Sequence, residues 1–471
     1  MRGASLRVHQ NGGGRGWSLG GGTPSDDVGP TRIPDAKLLR TVETLVAYVL
    51  LALAAGAFMP LIRPAAVFSG SDADPVTQGL WAMLSAGALF LLLRRRRRGQ
   101  PAFRPNWAVG AYWLMATMSV AWAIDRGLAE RRVESLLATI VAACFLITAF
   151  PGPKLLSLLN RFVLACAVGT ILLAGIRPSQ AYDTAGNLQG VFFDKNALGL
   201  AMALGAITAA LLFVTAASGG VRWWSMGAFL IDVLVLMGTR SGTSAVALAA
   251  SLSVILLISV AGRGNARLLV LGLVSISGAV GVLVLLAIGL TPFLRLLGKS
   301  DTLTGRTVLW RLVINAVETR PVLGWGYGSF WSAANPSAQV TVRGSDWAGT
   351  TPIASAHNGY LENLLGLGVF GLILAVLVLA LMLLAGVRYL TASDIPGATA
   401  MLGLLTFIVV YNMSESRLLV SRELLSLVLV AMIAVPWRRR AGKPTSVAGG
   451  LQMGELSNAP LGDREGRLTA S

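Results

Sequence analysis

Apolar runs close to twenty residues long recur from residue 42 to residue 437, and they limit what this chain can become. About twenty residues of helix cross the ~30 Å hydrocarbon core of a bilayer. No water is available there to satisfy backbone N–H and C=O groups, so a spanning segment is either a helix or a strand of a closed barrel. The barrel signature, short segments of alternating polarity about ten residues long, is absent. The expected fold is an all-α polytopic membrane protein. Composition agrees: only 13% of the 471 residues are charged, against about a quarter in soluble domains.

Spans are expected at 42–62, 76–93, 106–124, 134–150, 158–176, 196–216, 223–239, 242–261, 268–290, 365–387, 397–413 and 419–437, about twelve in all. The formal net charge of +17 does not point to nucleic acid, because the cations cluster at helix ends. In a twelve-span arrangement Arg94 to Arg98, Arg222, Arg263, Arg267, Arg388 and Arg438 to Arg440 all fall on one side with both termini. Cytoplasmic loops collect Lys and Arg, which makes that side cytoplasmic. The organisation expected is a disordered tail (1–41), nine spans (42–290), an outer loop (291–364), three spans (365–437) and a second tail (438–471). The Gly-rich first tail has no apolar stretch near Met1 and does not read as a cleaved signal. Cys144 and Cys166 both lie in apolar segments, which gives no disulfide framework.

Long ordered loops are usually functional, so the outer loop holds the most information. Its sequence GRTVLWRLVINAVETR reads as a helix with Trp310, Val313 and Val317 on one face, stopped by Pro321. The glycine-rich turn GWGYGSF follows, and the loop ends in SAHNGYLENLLGLG with His357, one of only two histidines. Imidazole is well poised to take a hydroxyl proton near neutral pH, although a histidine at a membrane mouth more often caps a helix or hydrogen-bonds at the interface. Asn358 and Glu362 sit one helical turn apart beside it, and Glu362 either orients the imidazole or is solvated. Cations recur on the same side: Arg240 in GTRSGT, Arg306 in TGRTVLW and Lys195 in FFDKNALG, where Asp194 is placed to cap the next helix. Guanidinium groups and helix N-termini bind phosphate oxygens well, although interfacial snorkelling is the plainer account of any single arginine.

The ordered set FFDKNALG, GTRSGT, TGRTVLW, GWGYGSF and SAHNGYLENLLGLG resembles the superfamily of O-antigen ligases and O-antigen or exopolysaccharide polymerases, with HNGYLE nearest the exopolysaccharide branch. The resemblance runs from about Asp125 to Glu415. It implies a donor glycan on undecaprenyl diphosphate at the periplasmic leaflet and a glycan or lipid A-core acceptor. A chain-length regulator is a further implied partner, and no cofactor is implied. It puts His357 in the place of the catalytic base and Arg240 and Arg306 in the places of two diphosphate-binding arginines, with Lys195 as a secondary phosphate contact. Asn358 and Glu362 support the histidine.

Two rivals carry less. Asp72 and Asp74 in SDADP have the look of a divalent-cation site, but acidic residues before proline are common in turns. A transporter or lipid-linked glycan flippase calls for ionisable residues within the spans, where Asp232 is the clearest example.

Overall fold

The computed structural model describes residues 33–62, 75–97, 106–216, 218–260, 306–343 and 354–434. Residues 1–32 of the first tail, the whole second tail, the expected span at 268–290, the SDADP aspartates, Arg98, Arg263, Arg267 and Arg438 to Arg440 lie outside the described residues. Residues 33–41, expected as disordered tail, are instead the first turns of a helix that continues into the first span. The chain is an all-α polytopic membrane protein, and the described residues contain no β-strand.

In chain order the helices are α1 (Ile33–Ala55), α2 (Pro75–Arg97), α3 (Trp107–Met118), α4 (Arg126–Ala149), α5 (Pro153–Ile176), α6 (Lys195–Thr215) and α7 (Gly219–Thr239). Then come α8 (Gly242–Val260), α9 (Arg306–Thr319), α10 (Pro336–Arg343), α11 (Gly359–Thr391), α12 (Ile395–Tyr411) and α13 (Leu424–Ile433). Eight of them, α1, α2, α4 to α8 and α11, are long and apolar enough to cross a membrane, while α12 and α13 are shorter apolar helices. Every expected span among the described residues therefore has a helix. The last one is shortened: α13 starts at Leu424, so residues 419–423 form a loop and not the head of a span. Innermost is α6, buried without interruption from Leu198 to Ala209 and packed against α5, α7 and α8.

The loop helix α9 forms where it was expected, rotated slightly from the expected face. Its buried stripe is Leu309, Val313, Ala316 and Val317. Trp310 sits at the edge and donates its indole N–H to the Ala356 carbonyl at 3.0 Å. That bond joins the helix to the residue before His357.

Both ends of the bundle are pinned. At the end where α2 finishes, Arg95 grips the buried Glu43 of α1 with two bonds, 2.8 Å from Nε and 2.6 Å from Nη2. At the opposite end α11 breaks. Gly368 takes φ 63° and ψ −161° in the middle of the helix, which robs the preceding turn of its usual donors. GWGYGSF supplies them instead: Trp325 N–H bonds the Leu365 carbonyl and Gly326 N–H the Gly366 carbonyl, both at 2.9 Å. In return Val369 N–H reaches the Pro321 carbonyl at 2.9 Å. Such close backbone contact excludes side chains. A Cβ on Gly324, whose φ is +67°, would lie 2.6 Å from Gly366 and Gly368 backbone atoms.

Gly324→Ala should therefore destabilise the protein by roughly 2–4 kcal/mol, since it combines left-handed strain with a backbone clash. Thermal unfolding in detergent measures this. Gly227→Ala is the control, because its Cβ would meet nothing within 4 Å.

Candidate functional site

His357 sits between the loop and α11 in a left-handed conformation, φ 47°, which costs a non-glycine residue roughly 1–2 kcal/mol. Six non-glycine residues among those described have positive φ, and Phe58, Arg240, His357, Leu419 and Arg422 lie at this one end of the bundle. Strain of this kind collects at sites where the surroundings over-determine the backbone.

Capping of the helix falls to the next residue. Asn358 accepts from the N–H groups of Tyr360 and Leu361 at 3.0 and 3.1 Å, and its amide donates to the Met413 carbonyl at 3.1 Å. His357 is thus not the cap of α11. Its Nδ1 lies 3.3 Å from Glu415 Oε2, and Glu415 Oε1 accepts from Arg306 Nη2 at 2.6 Å. Arg306 Nη1 donates to Thr243 Oγ1 at 3.4 Å, and Thr243 meets Ser414 at 2.7 Å. Arg306, Glu415 and His357 form one connected chain, with Glu415 only 4% exposed at its side chain. Burial alone pushes the Glu415 carboxyl up, but the His357 hydrogen bond and the Arg306 charge outweigh it and hold the group below its ordinary value. A proton on Nδ1 then donates to Glu415 and puts the basic lone pair on Nε2.

Glu362 does neither of the things its position suggested. Oε1 accepts from Trp331 Nε1 at 2.9 Å and Oε2 from Ala356 N–H at 2.6 Å, with Ser416 Oγ at 3.4 Å. It fixes the loop backbone before His357, while the imidazole partner is Glu415.

These residues bound a cavity of about 350 Å³. Its wall contains His357, Glu362, Glu415, Arg132, Arg417, Tyr112 and Tyr327. Arg132 bonds the Gly328 carbonyl, and Arg417 pairs with Glu423. Tyr112 donates to Asn363 Oδ1 at 2.6 Å and Tyr327 to the Leu419 carbonyl at 2.8 Å. Arg306 stands behind Glu415 and is not part of the wall. Nor are Arg240 and Lys195. They are neighbours at the same end, bridged one residue along by Ser241 Oγ donating to Asn196 Oδ1 at 3.2 Å. Arg240 is exposed and left-handed, and Lys195 is half-buried at the head of α6, which Asp194 caps as expected. Asp232 lies buried against Gly205 and lines neither this cavity nor the smaller one beside it.

Sequence reasoning missed Glu415 as the imidazole partner and missed Arg132, Arg417 and Glu423 altogether. One signal was available: SESRLLVSRE gathers two arginines and two glutamates into ten residues, an unusual density of charge at the head of an expected span.

A family model described as O-antigen ligase matches residues 227–376, which include Arg240, Arg306, His357 and Glu362. The chain is also 26% identical over 363 residues to the exopolysaccharide production protein ExoQ of Rhizobium meliloti (strain 1021), covering 75% of this chain and 81% of that one. Both matches support a place in the O-antigen ligase and exopolysaccharide polymerase superfamily. Its function is of that ligase or polymerase type, in a multi-pass membrane protein. Glu415 lies beyond the matched stretch, so it enters the site on its geometry alone.

A titration tests that geometry. The folded value of Glu415 lies below its unfolded value, so its stabilising effect is present at neutral pH and disappears as pH falls through the folded value. The gap in melting temperature between wild type and Glu415→Gln should be largest near pH 7 and close on the acid side. A gap constant down to pH 3 would mean the carboxylate carries no such charge.

Proposed function

We propose that the protein transfers glycan from an undecaprenyl-diphosphate-linked donor to an acceptor hydroxyl at the periplasmic face of the inner membrane. It does so as an exopolysaccharide or O-antigen polymerase or as an O-antigen ligase, with His357 as catalytic base and no metal. One observation supports this above the others: the only histidine among the described residues lines a polar cavity and is backed by a buried carboxylate and guanidinium.

The chemistry follows from that chain. The acceptor hydroxyl gives its proton to Nε2 of His357 as its oxygen bonds the anomeric carbon. The bond from that carbon to the phosphate oxygen breaks, and the diphosphate leaves with the electron pair. Glu415 stabilises the resulting imidazolium, while Arg306 keeps Glu415 ionised. Arg240, Arg306 and Lys195 supply cationic stabilisation to the leaving diphosphate. Arg306 spends one N–H of Nη1 on Thr243 and one of Nη2 on Glu415, two of the five donors of a guanidinium. Asn358 and Glu362 position His357 through the loop backbone. In this reading both termini belong to the cytoplasmic side together with Arg94 to Arg97 at the end of α2, and the cavity opens on the periplasmic side.

His357→Ala should abolish product while the protein still inserts and lipid-linked donor accumulates. Removing a base typically costs about 10²–10⁴ in rate. His357→Gln keeps hydrogen bonding without basicity, so near-normal transfer by this variant refutes the assignment. Arg306→Lys and Arg240→Lys keep charge but lose the planar fork, and each should slow transfer about ten- to a hundredfold. Transfer by purified protein should survive EDTA, whereas loss on chelation and recovery with magnesium would bring Asp72 and Asp74 forward.

A further inference from the structure

Behind the Arg417–Glu423 pair lies a second cavity, of about 190 Å³, and both members of the pair belong to both walls. The remainder of the second wall comes from the end of α1, the start of α2 and the head of α6. That part is largely apolar, with Leu53, Met59, Trp81, Phe193 and Leu200. Its cations, Arg417 and Arg422, come from the segment between α12 and α13. Two acidic groups share the wall, and both are already engaged. Asp194 accepts the N–H groups of Asn196 and Ala197, and Glu423 is paired with Arg417. Arg422 is held in a left-handed conformation, φ 59°, and anchored by its backbone N–H to Thr139 Oγ1 at 2.9 Å. Close in sequence to the wall residues Met59 and Thr77, Ile62 and Val76 are 72% and 49% exposed, apolar side chains suited to lipid.

From the α1–α2 side inward, the order is apolar wall, arginine pair, then the polar chamber with His357. An isoprenoid diphosphate glycan has its parts in that same order: tail, two phosphates, sugar. We propose that the second cavity binds the first isoprene units of a lipid-linked glycan, with the diphosphate against Arg417 and Arg422 and the sugar in the His357 chamber. This rests on the transfer reading and adds the resting contacts of the diphosphate to it: Arg240, Arg306 and Lys195, which line neither cavity, meet that group only as it leaves. Arg417 already has Glu423 as its counter-ion, and two guanidinium groups at the rim of an apolar pocket still offer planar forks of donors that match the oxygens of a diphosphate.

The test is photolabelling of full-length protein in phosphatidylcholine nanodiscs with a diazirine-bearing geranylgeranyl diphosphate. Saturable label is expected on peptides spanning Leu53–Met59 and Thr77–Trp81. Unlabelled farnesyl diphosphate should compete, and farnesol or inorganic pyrophosphate alone should compete far less. Arg422→Ala should weaken binding about ten- to a hundredfold, the worth of one charge-assisted contact. Ala197→Phe, which fills the cavity and leaves every arginine in place, should block labelling without lowering the melting temperature. It also decides the matter if Arg422→Ala does not fold. Native mass spectrometry separates two sources of the same chemistry: one bound isoprenoid diphosphate means the donor uses this cavity, and two mean a second lipid-linked substrate does. Labelling that maps elsewhere, or that ignores both substitutions, overturns the proposal. His357→Ala should label as wild type, so loss of transfer in that variant bears on the base alone. Conversely, normal labelling with full transfer by His357→Ala would sink the base and leave this site standing.

Discussion

A helix inside hydrocarbon has to satisfy its own carbonyls, and α11 gives this up at Gly368. Everything at that end of the bundle is arranged around the repair. Two backbone bonds knit GWGYGSF to the broken turn, a third ties Val369 to Pro321 just before it, and Gly324 lets the two stretches of backbone touch. The loop so anchored carries α9, and α9 carries Arg306 at its first position. The unbroken first turn of α11 carries Asn358, which takes hold of the segment after α12 through Met413 and Ser416. His357 and its two partners therefore meet because one helix was interrupted and mended from outside.

Much of this was legible in the sequence, because the strongest constraints are compositional. Apolar length announced the fold class, and Asp194 before Lys195 announced the start of α6. His357, the one histidine among the described residues, stood out in the same way. What stayed hidden was pairing across long separations. Glu362, five residues from His357, looked like its partner, yet that carboxylate is taken by Trp331 and Ala356. Glu415 replaces it, 58 residues away. Helical spacing says which residues can share a face, but not which of two carboxylates a loop will bring to an imidazole. The segment 419–423 was misread for a related reason: Leu419 and Val420 extend the apolar run of α13, and only the bonds of Tyr327 to Leu419 and of Arg422 to Thr139 show that it folds back as loop.

The electrostatics of the site are those of a small interior salt network. Taking Arg306 and Glu415 out of water is expensive, and their attraction returns the cost only when the remaining hydrogen bonds are also made. Thr243, Ser414 and His357 make them. The Nε of Arg306, buried with no hydrogen-bond partner among the described residues, is the one lapse. Such a network contributes little to net stability but a great deal to orientation, which suits a group that must present a ring nitrogen at a fixed place.

The segment between α12 and α13 holds Glu415, Arg417, Arg422 and Glu423 within a dozen residues, tied down by side chains from α4, α11 and the glycine-rich loop. None of those ties is a bond internal to a helix. Heating can release the segment while each helix keeps its own ladder, since local openings need far less free energy than global unfolding. Loss of function on warming then becomes a separate event from melting: a sample can look fully folded by its helical circular dichroism and already be inert. For a protein handled in detergent, preserved helicity would be a poor certificate of an intact centre.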